Sequence, residues 1–446
     1  MPHRPSRDPA PLSQQGSLGV LLQRSLPRKR LQALRAAARV SRALGVPAYL
    51  IGGSVRDLLL GCPSPDLDLC VVGDGHAFAR RLAAELSTPL TQDRRFLTAK
   101  IAAAGGAIDV ATARRESYAR PGALPRVAPG SIDDDLARRD FSVNAMALPL
   151  DPRLASQLLD PYGGRADLAR RQLRVLHHRS FIDDPTRLLR AARYAARLRF
   201  HLEPSTHGLA RQAVRADCLD TVSGDRIRRE LFLLLDEPRT WAGVELCRRL
   251  GVLRCIHPGL SAGRRVLTGL RRISGISAWF SPGDGRAHPD CGLARLLVLA
   301  DGLSLTEGDD LGPRLRLTAR QRRALKSYLT AKGRVRRALS APTLRDSVLV
   351  RALEPLPPEA VAALAATSTD RVRRRCRRFV ERLRGVSARI RGDDLERLGF
   401  DPGPAWGRAL AAARDARLDR RAASKDDEIR IAATILQARG ARRRHR

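Results

Sequence analysis

PAYLIGGSVRDLLLGCPSPDLDLCVVG, residues 47–73, sets the architecture expected of the first third of this chain. Its apolar opening reads as a short buried strand, Gly52-Gly53 as a turn, Ser54 as the cap of a helix through 55–61, and DLDLCVV as a second strand closed by Gly73. A strand, two glycines and a helix start leave unencumbered backbone amides at a helix N-terminus. Such a turn can cradle a phosphate, with Arg56 as a charged donor beside it. On the second strand Asp66 and Asp68 stand two residues apart, so strand alternation points both carboxylates to one face. Their mutual repulsion asks for a cation between them. Magnesium, which takes oxygen ligands and keeps substrate phosphates among them, suits that pair and suits phosphoryl transfer.

Outward from this segment the pattern stays α/β up to about residue 150. Upstream, LQALRAAARVSRALG (31–45) has helical spacing and stops at Gly45. Downstream, HAFARRLAAEL (76–86) reads as an amphipathic helix, and FLTAKIAA (96–103) and AIDVAT (107–112) as strands joined by a Gly105-Gly106 hairpin. Asp109 on the last of these supplies a third carboxylate, either as a metal ligand or as the base that helps deprotonate an attacking hydroxyl. From Asp184 onward, DPTRLLRAARYAARLRF, PSTHGLARQAV and DRIRRELFLLL all carry a 3.6-residue period, and the rest of the chain reads as helical. Pro- and Gly-rich breaks place boundaries near 285 and 357. The expected organisation is a basic disordered arm (1–30), a small mixed sheet with helices (31–150), then helical segments 151–240, 241–356 and 357–446, the last ending in the basic, unfolded GARRRHR.

Charge narrows the partner. The chain of 446 residues holds 82 Lys and Arg against 46 Asp and Glu, a net charge of +36, and a surplus that large points to a polyanion such as nucleic acid. No run approaches the ~18 uninterrupted apolar residues of a membrane span, and no membrane is among the expected partners. Seven scattered cysteines, without a C-x-x-C pair, argue against a disulfide framework or a zinc knuckle and for a reducing cytoplasm. His288-Pro289-Asp290 lacks histidine and aspartate partners at phosphohydrolase spacing and reads as a loop.

Between about residues 47 and 235 the sequence resembles the class II tRNA nucleotidyltransferase and bacterial poly(A) polymerase family, within the polymerase-beta-like superfamily. The resemblance rests on GGSVRDLLLG with DLDL, on ATARRESYARPG as the flexible-loop region, on RRDFSVNAMA as the ribose-recognising motif, on DPYGGRADL, and on FIDDPTRLLRAARY as the nucleotide-selecting helix. SGDRIRREL is similar to the last motif of the family, with Asp225 where glutamate is usual, and Asp183 likewise replaces a glutamate. The resemblance implies an α+β nucleotidyltransferase head followed by an all-α neck, body and tail. It implies that Asp66 and Asp68 hold Mg²⁺, that Gly52, Gly53 and Arg56 contact the incoming nucleotide, and that Arg139 and Asp140, with Asn144 in the same motif, lie near its sugar. It also makes Asp184, Arg187, Arg190 and Arg193 the nucleotide side of a helix. Their spacing of three lets them form one continuous strip.

Hydrogen-bond inventory then gives base choice. Cytosine and adenine each present an exocyclic amine beside an unprotonated ring nitrogen, which Asp184 and Arg187 complement; uracil and guanine reverse the pattern and leave partners unmet at ~1–3 kcal/mol each. The implied reaction is attack of an RNA 3′-hydroxyl on the α-phosphorus of CTP or ATP, with the tRNA acceptor end as substrate, CCA as product and no obligate protein partner. Family members that add only CC, only A, or poly(A) are the nearest alternatives. The full-length loop from Arg114 to Arg126 leans toward a switch from C to A, and Arg94-Arg95-Phe96 is only a partial echo of the poly(A) signature. A non-catalytic RNA-binding module would have lost a metal carboxylate, and a small-molecule nucleotidyltransferase would not need the basic helical body.

Overall fold

Pro27 opens helix α1 (Arg28–Leu44), which ends where Gly45 takes up φ +64°. In this computed structural model the described residues are 22, 25–62, 66–103, 105–151, 157–280 and 287–438. Most of the arm expected over 1–30, and the basic end GARRRHR, lie outside them. Helix α1 begins earlier than expected, and Arg30, assigned to that arm, is instead 1% exposed and donates to the Ala107 carbonyl at 3.1 Å.

Strand β1 (Ala48–Ile51) leads through the glycine turn into helix α2 (Gly53–Leu59) and back along β2 (Leu67–Val71), antiparallel to β1. Helix α3 (Gly75–Glu85) follows, capped by the Asp74 side chain. Next come β3 (Leu90–Asp93), β4 (Thr98–Ala103) and β5 (Gly106–Thr112), the last two forming the hairpin read from Gly105-Gly106. With β8 (Ala147–Pro149) they make a six-stranded mixed sheet in the order β3-β4-β5-β2-β1-β8, in which β2 and β5 are parallel. Alternation along β5 buries Ile108, Val110 and Thr112 and leaves Asp109 on the opposite face. Helix α3 packs across β4 and β5 and against α1, burying Phe78, Ala79 and Leu82.

The loop region between Arg114 and Arg126 is opened by a second hairpin, β6 (Arg114–Ser117) with β7 (Arg126–Pro129). Helix α4 (Ile132–Ala137) follows with a Ser131–Asp134 capping box. Beyond the sheet come α5 (Gly164–Ala169), β9 (Gln172–Leu173), α6 (Ser180–Asp183), α7 (Arg187–Leu198), β10 (His201–Leu202), parallel to β9, and α8 (Pro204–Arg215). Alanine, leucine and arginine favour α7 throughout. Its buried positions hold Leu188, Leu189, Ala191, Ala192 and Ala196 and, unusually, Arg187 and Arg193.

Packing divides the chain into two units: the described residues up to Ser223 together with Arg249–Cys255, and Gly224–Arg248 together with Ile256 onward. The division falls inside the segment 151–240 because the helix Gly224–Leu235 packs against Cys291–Leu299. In the second unit Pro358–Ala366, buried from Glu359 onward, packs against Arg264–Ser277 and Cys291–Leu299, so helical packing runs across the break at 357. Residues 390–436 form their own small core around Phe400, Leu395 and Leu436. His288–Asp290 is a loop, with Asp290 capping the helix that follows it. Asp225 pairs with Arg228 and Arg316, each at 2.9 Å. All seven cysteines are free, and among the described residues no helix is long and apolar enough to cross a membrane.

Candidate active site

A cavity of about 800 Å³ in the first unit is lined by Gly53, Arg56, Asp66, Asp68, Asp109, Arg139, Asp140, Asn144, Asp184, Arg187 and Arg190. Residues separated by more than a hundred positions in sequence thus face one space. Gly52 and Arg193, also expected at the nucleotide, are not among the lining residues: Gly52 sits against Arg139, and Arg193 is 7% exposed with its guanidinium 4.6 Å from the Tyr194 ring.

Parallel register sets Asp68 of β2 beside Asp109 of β5, and Lys100 of β4 lies beside Asp109 on the other side with Nζ 3.4 Å from its carboxylate. Burial pushes the Asp68 carboxyl above the usual carboxylate range; the Ser54 hydroxyl bond opposes that rise and the neighbouring Asp109 charge adds to it. Ser54 was expected as a helix cap. The cap position falls on Gly52, and the Ser54 hydroxyl instead accepts from the Asp68 amide at 2.9 Å and donates to its carboxylate at 3.1 Å, fixing the side chain at the cavity. Asp66 precedes β2, and its Oδ1 accepts from the Ala107 amide at 3.0 Å. Hard carboxylate oxygens, one of them destabilised by a second negative charge, are the donor chemistry of a divalent ion such as magnesium. Among the described residues no three ligand-type side chains form a ready cluster.

At the glycine turn Gly52 has φ +62°, a backbone conformation that calls for glycine, and a Cβ there would fall 2.4 Å from Arg139 Nη1 and push that guanidinium aside. One turn on, Arg56 is 2% exposed. It pairs with Asp57 at 2.7 Å and donates to Asn144 Oδ1 at 2.6 Å. Asn144 in turn donates to Asp140 Oδ1 at 2.9 Å, and Asp140 Oδ2 takes both Nε and Nη2 of Arg190, at 2.9 and 2.6 Å. A side-chain relay, Arg56–Asn144–Asp140–Arg190, buried except at Arg190, therefore joins α2 to α7. Burial alone would raise the Asp140 carboxyl; Arg190, Asn144 and Arg187 outweigh it and hold the group well below the usual range. Asp140, expected beside a sugar, lines the cavity but has its oxygens committed to protein donors, the Phe141 amide included.

Asp184 and Arg187, expected to select the base, do not form the exposed surface pair that an Asp and an Arg three apart on a basic helix often form. Asp184 Oδ1 accepts from the amide and hydroxyl of Thr186, which sets the start of α7. Arg187 is 4% exposed and donates to the Arg138 carbonyl at 2.7 Å and to the Ser180 hydroxyl.

Among the cavity residues that escaped the sequence reading are Tyr194, Glu116 and Tyr118. Tyr194 carries the guanidiniums of Arg56, Arg190 and Arg193 at 5.3, 5.7 and 4.6 Å from its centroid, and meets Phe141 edge-on. Glu116 and Tyr118, in and just after β6, line the same space; buried Glu116 accepts from Arg114, Arg138 and the Tyr118 hydroxyl. Tyr194 follows Arg193 in a helical strip whose aromatic could have been noted. Glu116 and Tyr118 fall within the flexible-loop motif but carry no periodic signal of their own, and the ion pair of Glu116 with Arg138 spans 22 positions.

A mixed sheet edged with carboxylates, a glycine turn at a helix start and a basic helix facing both define the nucleotidyltransferase head of the polymerase-beta-like class. Residues 48–174 match the "Poly A polymerase head domain" profile, and residues 199–263 the profile described as "Probable RNA and SrmB- binding site of polymerase A". An A-adding tRNA nucleotidyltransferase of Geobacter sulfurreducens is 35% identical over 94% of this chain and 48% of its own length. A CC-adding tRNA nucleotidyltransferase of Deinococcus radiodurans is 40% identical over 51% of this chain and 63% of its own. The chain spans about half the length of several curated relatives that it matches. Among solved structures, a CCA-adding enzyme in an apo form superposes with a TM-score of 0.83 at 27% identity, covering 94% of this chain and 99% of that one. The Thermotoga maritima CCA-adding enzyme complexed with tRNA gives 0.79 at 26%, covering 95% and 98%. The chain belongs to the tRNA nucleotidyltransferase and poly(A) polymerase family.

Proposed function

We propose that this chain is a template-independent nucleotidyltransferase that adds C and A, drawn from CTP and ATP, to the 3′ end of tRNA, giving CCA. The observation that carries the reading is that Asp184 and Arg187 share one cavity with Asp66, Asp68 and Asp109. A single nucleoside triphosphate can then be read at its base and held at its phosphates.

Arg56 and the Gly52–Gly53 turn take the triphosphate, and Arg190 and Arg193, gathered on Tyr194, add positive charge along it. Arg139 stands at the sugar side. Asp140 acts through Arg190 and Asn144, aiming cations from two helices at one ligand. Asp184 accepts from the exocyclic amine of cytosine or adenine, and the buried Arg187 donates to the adjacent ring nitrogen. Asp66 and Asp68 would hold Mg²⁺, which when bound supplies charge neutralisation at the departing pyrophosphate and acidifies the attacking hydroxyl, the chemistry of two-metal phosphoryl transfer. Asp109, beside Asp68 in register, is placed either to join them or to receive the hydroxyl proton. The helices beyond residue 240, including the arginine-rich Asp370–Arg378, grip the RNA by its backbone, so that affinity falls steeply with salt. Seven free thiols fit a cytoplasmic setting.

A-only addition is the second reading, favoured because several of the relatives are named A-adding enzymes. Purified protein given tRNAs ending before the first C, before the second C and before A, with the products sequenced, separates the two. CCA synthesis predicts extension of all three to the same end. Extension of only the last establishes A-only addition, and extension of none refutes the proposal.

A further inference from the structure

Ser180 touches both members of the base-reading pair. Its hydroxyl oxygen accepts from Arg187 Nη1, and its backbone carbonyl accepts from the Asp184 amide at 3.3 Å. The residue is fully buried, beside Phe181 at 1% exposure, and its own amide is tied to the His177 carbonyl at 3.1 Å. Arg187 is held from the other side by the Arg138 carbonyl at 2.7 Å. Two anchors on a planar guanidinium fix its plane as well as its position and leave its remaining N–H groups for the cavity that it lines.

We infer that Ser180 is a positioning residue for base selection, holding Arg187 at a set distance and angle from Asp184; this rests on the function proposed above. Discrimination between cytosine and uracil depends on where donors can be aimed. An arginine free to rotate could donate to the uracil O4 carbonyl instead of meeting an N–H, and the penalty that excludes uracil would fall away. With Arg187 anchored by Ser180, the uracil pattern leaves Asp184 facing a carbonyl and Arg187 facing an N–H. The Ser180 hydroxyl touches no substrate; it acts through Arg187 alone.

The test compares the unaltered chain with Ser180→Ala and Ser180→Cys, both close in size to serine. Discrimination is read as incorporation of CTP against UTP on tRNA and, independently, as equilibrium binding of the two nucleotides. Each variant is expected to lose selectivity by on the order of tenfold, the size of one hydrogen bond to a charged group, with kcat for CTP changed much less. Ser180→Thr, which keeps the hydroxyl, is expected to restore selectivity. In an Arg187→Ala background, Ser180→Ala should change selectivity no further. Unchanged CTP-over-UTP preference in either folded serine variant, or a full additional loss in the Arg187→Ala background, overturns the inference. A chain that binds CTP over UTP yet transfers neither contradicts the proposed activity instead, and the binding ratio still decides the role of Ser180.

Discussion

Replacing Asp140 with asparagine should disconnect α7 from the sheet without removing any group proposed to touch substrate. In the folded chain the carboxylate takes the Phe141 amide and Asn144 Nδ2 on one oxygen and two donors of Arg190 on the other. An asparagine supplies one acceptor oxygen in place of two. Whichever way its amide is turned, an NH₂ faces either Arg190 or the Phe141–Asn144 donors. Losing a two-pronged, charge-assisted contact with a guanidinium whose side chain is 30% exposed costs about 3 kcal/mol, after a discount for that exposure. At roughly 2–4 °C per kcal/mol for a unit of this size, the melting temperature should drop by roughly 6–12 °C. The effect depends on pH with a definite sign. The folded Asp140 carboxyl lies below its ordinary value, so its stabilisation is complete above that value and fades as pH falls through the ordinary carboxylate range toward the folded one. The gap between the parent and the variant should be widest near neutrality and narrow progressively as pH falls below about 4. Circular dichroism melts at several pH values, with Arg190→Met completing a double-mutant cycle, measure it; a coupling of about 1.5–3 kcal/mol is expected. A variant melting within about 2 °C of the parent, or strictly additive with Arg190→Met, would refute the relay.

Tyr194→Leu should raise the KM for CTP several-fold, as expected from cation–π terms of about 0.5–2 kcal/mol, and leave kcat nearly unchanged. Tyr194→Phe, which keeps the ring, should behave as the parent in the same steady-state assay, and equal KM values for the Leu and Phe variants would count against the platform. Gly52→Ala places a methyl 2.4 Å from Arg139 Nη1 at φ +62°, so nucleotide binding measured by calorimetry should be lost or severely weakened, together with about 1–3 kcal/mol of stability; binding at parental strength contradicts this. Glu203 caps α8, and although burial raises its carboxyl, bonds from Ser205 and Thr206 bring it down to about 2. Glu203→Gln should cost about 1 kcal/mol at pH 7. Because the folded value is depressed, the cost should shrink as pH falls from the ordinary glutamate range toward 2, and a melting gap that widens in acid would be the wrong sign.

The parts of the site that sequence made legible are those encoded by local spacing. Gly52-Gly53 before a helix and Arg187 and Arg190 one turn apart each carry a conformational or periodic reason visible within a few residues, whereas Asp66 stands just before β2 instead of on it, Asp184 precedes the helix, and Arg193 does not line the cavity. The pairing of Asp140 with Arg190 spans fifty positions and has no such signature. Nor did Ser54, whose type suits a helix cap; the backbone of Gly52 took that place, and the hydroxyl was left to hold Asp68. The flexible-loop motif resolves at its ends into the β6–β7 hairpin because Arg114–Ser117 finds a partner strand only after the chain turns. The break near 285 lies outside the described residues, and the one near 357 falls between two helices of one unit, since a Pro-rich turn says where a helix ends and not which helices share a core.

The structure of this protein with CTP and Mg²⁺ bears most directly on the central claim that one cavity both reads the base and handles the phosphates. The account predicts the cytosine amine against Asp184, its ring nitrogen against Arg187, and the triphosphate beside Arg56 with the ion on Asp66 and Asp68. A CTP molecule whose base lies away from Asp184 and Arg187 while its phosphates occupy the carboxylate edge would contradict it.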